Sequence, residues 1–247
     1  MEVHHHAHTS RKKWTHYFWE FIMLFLAVFC GFLAEYYLEH TIEHSREKQF
    51  IKSLVNDIKA DIAHLNTTIE KRNQKVERLD SLFNLLNSPR YTEFGSSLYF
   101  NAIHTGRLVD IKFTPNDGTL QQLKNAGGLR LIRNRAVADS ITRYDVSIRN
   151  LEKLGEQEVM VAQEYRMAAN KVFNAKVLSS MLDENNVSRR PPGNPALLPF
   201  TNKELAEVNY GIHTVKIITR GMRRDSRILL QQATNLLATI NKEYHLE

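Results

Sequence analysis

The hydrophobic pattern changes character along the chain. Phe21 to Ala34 is uncharged, and widening the stretch to Tyr17–Leu38 gives 22 residues that admit only Glu20 and Glu35. About 20 apolar residues cross a bilayer's hydrocarbon core, and both glutamates stand near the ends, where side chains can snorkel to water. Trp14, Tyr17, Trp19, Tyr36 and Tyr37 supply aromatic belts at the two interfaces. The stretch therefore predicts one transmembrane helix over residues 17–38. A cleaved signal peptide would need small residues soon after the apolar run. Here Ala34 is followed by Glu-Tyr-Tyr-Leu, and the helical pattern continues. A lipoprotein site at Cys30 would want a small residue before it, where Phe29 stands.

At 100° per residue, Glu20, Leu24, Ala27, Gly31, Ala34 and Glu35 share one face of that helix, with Leu38. Phe18, Ile22, Phe25, Phe29, Phe32, Leu33 and Tyr36 share the opposite one. Small residues let helices approach closely, and intramembrane carboxylates face protein or water rather than lipid. The first face is thus the candidate helix–helix contact, with a partner membrane protein or a second copy.

From Ile51 the apolar positions run 51, 55, 58, 62, 65, 69, 76, 79, 83 and 86, with Arg72 the polar occupant of the skipped step. Alternating steps of four and three predict five heptads of coiled-coil-like helix, ended by Asn87-Ser-Pro89. A shorter helix is expected near Ser97–Leu108. Pro115 and the Asn116-Asp-Gly118 turn then precede Thr119 as cap of a short helix. Gly127 or Gly128 suits a left-handed C-cap, and Asn134 can cap the next helix. That corner resembles a helix-turn-helix in outline only. A long helix is expected from Ala136 to about Leu182, with a less apolar middle at Gly155 and Glu158. The proline-rich loop 185–196 ends it, and a last helix starts at Thr201 or Asn202 with Glu204 in its first turn. The fold class is all-α: a transmembrane helix continuing into an elongated extracytoplasmic bundle of three long helices plus short central ones, over residues 39–247.

Composition narrows the function classes. With 43% hydrophobic residues in 247, the chain can bury a core and is not disordered. Ten glycines and six prolines argue against an all-β architecture. A mean hydropathy of −0.39 excludes a polytopic membrane protein, and one cysteine excludes a disulfide scaffold or thiolate zinc cluster. A net charge of +6 gives no case for nucleic acid as a partner. Arg11, Lys12 and Lys13 precede the span, whereas Glu39, Glu43 and Glu47 mix with Arg46 and Lys48 beyond it. The positive-inside rule then puts the leader, residues 1–16, in the cytoplasm and the bundle across an inner membrane, in the periplasm.

Chemistry is sparse. Gly-rich phosphate loops, G-x-S-x-G and His-Glu-x-x-His are all missing from the sequence, so no catalytic residues are assigned and no cofactor is implied. His40 and His44 are four apart on a helix without a third ligand. His4, His5, His6 and His8 in the leader are weak metal candidates. Arg130, Arg133 and Arg135 form one cationic group, and Arg220, Arg223 and Arg224 another. If their helices pack together, they make a patch for phosphates, carboxylates or an acidic partner.

The apolar span led by Glu20, the motif Phe113-x-Pro115-x-x-Gly118-Thr119 with Leu123, Gly127, Leu131-Ile132 and Asn134, and the closing Lys242-Glu-Tyr-His-Leu-Glu247 resemble one family. These are uncharacterised single-pass inner-membrane proteins of Bacteroidota, grouped under a domain of unknown function. Glu35-Tyr-Tyr departs from that pattern, in which Gln or Asn is common just after the span. The resemblance implies an inner-membrane location and a helical extracytoplasmic domain, and no activity. The expectation is a non-enzymatic membrane-anchored scaffold or accessory subunit of an envelope complex, in contact with lipid. Two alternatives stay open: a ligand-sensing bundle that signals through a partner, and an oligomeric ion- or proton-coupled subunit using Glu20.

Overall fold

The computed structural model describes residues 13–108, 111–125 and 127–245. Among them the chain is all helical, with a single isolated bridge between Leu182 and Ser188 and no strand. The helices are α1 (Trp14–Leu86), α2 (Gly95–Gly106), α3 (Gly118–Asn125), α4 (Arg135–Ala169), α5 (Ala175–Ser180) and α6 (Asn202–Tyr244). The chain divides into two compact units between Phe50 and Ile51.

In the first unit α1 carries an 18-residue window of mean hydropathy 2.0, none of it buried. A core helix of a soluble protein would cover such a window. Its length and composition suffice to cross a membrane. Phe21, Phe25 and Phe29 stack along one side, with ring centroids 6.3 and 5.9 Å apart.

In the second unit α1, α4 and α6 each bury one seam that steps by three and four residues. On α1 it is Ile51, Leu54, Ile58, Asp61, Leu65, Thr68, Arg72, Lys75, Leu79, Leu82 and Leu86, with Val55 and Val76 buried at its edge. Of the apolar positions expected there, Ile51, Val55, Ile58, Leu65, Val76, Leu79 and Leu86 are buried, Ile62 and Ile69 are half-buried, and Phe83 is 42% exposed. The seam also takes in Leu54, Asp61, Thr68, Lys75 and Leu82, one residue before an expected position in each heptad; Asp61, Thr68 and Lys75 are polar, and an apolar count passes over them. On α4 the seam is Val137, Ile141, Tyr144, Ile148, Leu151, Glu158, Ala162, Tyr165 and Ala169. On α6 it includes Thr219 and Ser226 among Val208, Ile212, Val215, Met222, Leu229, Ala233, Leu236 and Ile240. Each seam is apolar at its ends and polar or small in its middle.

Cross-helix bonds fix the directions. Tyr144–Asp61 and Glu158–Arg72 make α4 parallel to α1. Asn73–Arg223, Asp80–Lys216 and Asn87–Asn209 make α6 antiparallel to it. Thr201 and Glu204 form a reciprocal capping box that starts α6. Asn134 accepts from the Val137 amide at 3.2 Å and starts α4, as expected. Gly127 takes the left-handed conformation, with φ 64°.

Two expectations need correction. The long central helix ends at Ala169, not near Leu182. There the chain turns so that Val172 and Phe173 enter the core, Phe173 edge-on to Tyr99 with centroids 5.3 Å apart. Asn174 then caps the separate α5. Thr119 does not cap α3 but lies inside it; the Asp117 carbonyl accepts the first amide bond, from Gln121 at 2.8 Å.

Candidate functional site

The polar middle of the α1 seam exists because of what runs beside it. After α2 the chain returns along α1, and the described residues 107, 108 and 111–117 lie outside α-helix. Backbone groups there have no ladder, and unpaired buried ones would cost about 1–3 kcal/mol each. The side chains of α1 supply the partners. Lys75 Nζ donates to the Arg107 carbonyl at 3.1 Å, and Arg72 Nη2 to the Ile111 carbonyl at 3.1 Å. Asp61 Oδ1 accepts from the Asn116 amide at 2.8 Å, and Asp57 accepts from the Thr119 amide at 3.4 Å. Asp57 also meets the positive end of the α3 dipole. Sequence positions 57, 61, 72 and 75 thus clamp the return segment.

Two of the clamps reach α4 as well. Arg72 and Glu158 form a two-pronged pair, Nη1–Oε1 at 2.9 Å and Nη2–Oε2 at 3.1 Å, with side chains 1% and 5% exposed. Such a fork fixes the relative position of the two helices as well as neutralising charge. Asp61 Oδ2 accepts the Tyr144 hydroxyl at 2.6 Å, and burial first, then that bond, raises the tyrosine pKa well above its usual value. Burial pushes Lys75 down to about 8, a drop that Glu158 partly offsets and Arg72 and Arg166 deepen. Glu158 is held by a guanidinium and Asp61 by three donors, so both act as anchors.

Two cavities flank this network. One, of about 540 Å³, has Phe113, Pro115, Leu108, Val159 and Met222 as apolar wall and Arg72–Glu158 at its polar end. Its size and its mix of apolar wall and convergent charge are those of a small-molecule site. The other, of about 230 Å³, is lined by Lys71, Gln74, Lys75, Arg78, His104, Arg107 and Ile111. Searches against known protein families, curated proteins and solved structures return no match.

The residues expected from sequence fall as follows. Glu20, Leu24, Ala27, Gly31, Ala34 and Glu35 lie in unbroken helix and are all exposed, and a side chain at Gly31 would meet open space. The two arginine groups do not form one patch. Antiparallel packing sets the start of α4 against the end of α6, where Asn134 Nδ2 donates to Glu243 at 2.6 Å. Gly221 instead faces Leu154, so Arg220, Arg223 and Arg224 lie about 30 Å along α6 from Arg130, Arg133 and Arg135. Arg223 bonds Asn73, while Arg220 and Arg224 border a groove of about 670 Å³ between α4 and α6. His4, His5, His6 and His8 lie outside the described residues. His40 approaches Tyr36 Oη at 3.2 Å and His44 approaches Glu47 at 3.4 Å. Among the described residues no three His, Cys, Asp or Glu side chains converge for a metal.

Asp61, Lys75 and the cationic wall of the smaller cavity escaped the sequence reading. Their one signal is spacing: Lys71, Gln74, Lys75 and Arg78 stand at i, i+3, i+4 and i+7, a single helical face.

Proposed function

We propose that the chain is a non-enzymatic, membrane-anchored scaffold or accessory subunit of a cell-envelope protein complex. In this reading residues 17–38 sit in the inner membrane, the basic leader is cytoplasmic and the bundle is periplasmic. The Lys and Arg flank and the resemblance to the Bacteroidota family support that placement. One observation carries the docking role. Besides its buried seam, α6 has a second seam on its outer side: Tyr210, Thr214, Ile217, Gly221, Arg224 and Ile228, again in steps of four and three. On α4, Val146, Lys153, Met160 and Met167 recur every seven residues on the exposed side. Tyr210, Met167, Met160 and Ile217 are 58–68% exposed. An apolar stripe at heptad spacing along an exposed helix pair is the surface that receives another amphipathic helix. Lys153 and Arg220 in its middle favour an occupant with acidic residues there. A helix of a membrane-protein partner is the occupant this reading names. A photocrosslinker at Ile217 in native membranes should capture one companion protein, and the same probe at exposed Lys59 should not. Equal capture at both positions, or none at Ile217, would overturn the docking role.

The 540 Å³ cavity favours a second reading, a ligand-sensing bundle that signals through a partner. Its apolar wall comes from Phe113 and Pro115, and Arg72–Glu158 would orient a polar end of the ligand.

A further inference from the structure

Gly221 stands in the outer seam of α6 and has no duty inside the bundle. Glycine weakens a helix interior, so one placed there needs a packing reason. Gly211 has such a reason: a methyl group in its place would come within 3.2 Å of the Tyr165 Cα, where α6 passes close to α4. At Gly221 the same methyl group would meet Leu154 Cδ2 at 3.7 Å, an ordinary contact. The bundle would accept a side chain at this position, yet the sequence leaves the space open. Gly221 lines the groove of about 670 Å³ between α4 and α6, flanked on the seam by Ile217 and Arg224. A small residue between larger ones on an exposed seam makes a hole for a side chain of a facing helix.

The charged residues bordering the groove are Lys153 on α4 and Arg220, Arg224 and Asp225 on α6. Arg224 Nε donates to Asp225 at 2.7 Å, and Lys153 and Arg220 leave the middle of the groove positive. A two-fold pair of copies joined through this groove would put the centre of the patch on the symmetry axis, against itself. The same cations would then face one another, which works against association. A helix with carboxylates at that level brings the opposite sign and acceptors for both cations. Resting on the docking role above, we propose that the groove takes an amphipathic helix of a different protein and rejects a second copy of this chain. The occupant is acidic where it passes Lys153 and Arg220, and it seats a bulky apolar side chain over Gly221.

The test titrates the full chain in phosphatidylcholine nanodiscs with two synthetic amphipathic peptides of about four heptads. Both carry Leu at the apolar positions; one has Glu and the other Lys at the flanking ones. Fluorescence anisotropy, corrected for empty discs, should show saturable binding of the Glu peptide, about tenfold tighter than the Lys peptide and weakened by salt. The double variant Lys153→Glu, Arg220→Glu should reverse the preference. Gly221→Leu should weaken the Glu peptide about tenfold while melting no lower than the parent, since leucine is the better helix former. Lys59→Glu, on the exposed side of α1, should bind as the parent does. The proposal is overturned by equal affinity for the two peptides, by no saturable binding of either, or by a Gly221→Leu protein that binds as tightly as the parent or melts below it. Capture of a second copy by a photocrosslinker at Ile217 would overturn it too. A different protein captured at Ile217 would keep the docking role even if the two peptides bound alike. Charge-selective peptide binding with no capture would remove that role and leave the preference of the groove intact.

Discussion

Removing one partner of the Arg72–Glu158 pair is the sharpest probe of the bundle. In Glu158→Ala the guanidinium stays 1% exposed and loses both carboxylate oxygens, keeping only the Ile111 carbonyl. Stranding a buried charge in this way costs about 3–5 kcal/mol. For a unit of this size each kcal/mol moves the melting temperature by roughly 2–4 °C, so a fall of about 6–20 °C is expected. Arg72→Ala should fall in the same range, since it strands the carboxylate and the Ile111 carbonyl together. The double variant Arg72→Met, Glu158→Leu removes both charges and refills the volume. It leaves only that carbonyl without a donor, a loss of about 1–3 kcal/mol. The double variant should therefore be more stable than either single one. Thermal and urea melts of the full chain in detergent, followed by ellipticity at 222 nm, measure all four proteins. Single variants within about 1 kcal/mol of the parent, or a double variant whose loss equals the sum of the two, would refute the assignment of this pair as a buried, mutually dependent anchor.

Other expectations follow from the same geometry. Lys75 holds its proton less tightly folded, at about 8, than unfolded, at 10.5, so its charge opposes folding below pH 8 and that penalty fades as pH climbs from 8 to 10.5. Relative to Lys75→Met, the parent should gain stability between pH 7.5 and 10 in urea titrations; a constant gap would contradict the burial of its charge. Gly31→Leu should weaken self-association or partner association in a membrane assay, and Phe25→Leu on the aromatic face should not; equal effects would leave the span a plain tether. A reporter fused after Glu247 should be active outside the cytoplasm, and cytoplasmic activity would reverse the orientation.

Much of the fold could be read from residue pattern alone. The apolar window of α1, the capping residues Asn134 and Thr201, and the left-handed Gly127 all act through local physics, visible within a few residues. The polar residues of the α1 seam have a different origin. Asp61 and Lys75 are buried because backbone groups 55 and 32 residues away in sequence take their hydrogen bonds from them, and no local rule contains that requirement. The break after Ala169 is similar, since Phe173 leaves the helix to fill space under Tyr99, a tertiary demand that outweighs helix propensity. The arginine groups illustrate the converse. They cluster in sequence, but antiparallel packing of α4 and α6 separates them, while the cations that line the smaller cavity lie on α1 and at the end of α2.

The clamp on the returning chain has a consequence for what this protein tolerates. Asp61, Arg72 and Lys75 are spaced along α1 at fixed intervals of 1.5 Å per residue, each meeting a backbone group of the connection between α2 and α3, while Asp57 meets the Thr119 amide in the first turn of α3. The helix therefore works as a measuring rod for that connection. Insertion or deletion of a single residue there would slip successive carbonyls and amides past their side-chain partners and strand charged groups in the interior. Ordinary connecting loops vary freely in length; this one has its length set by the helix it lies against.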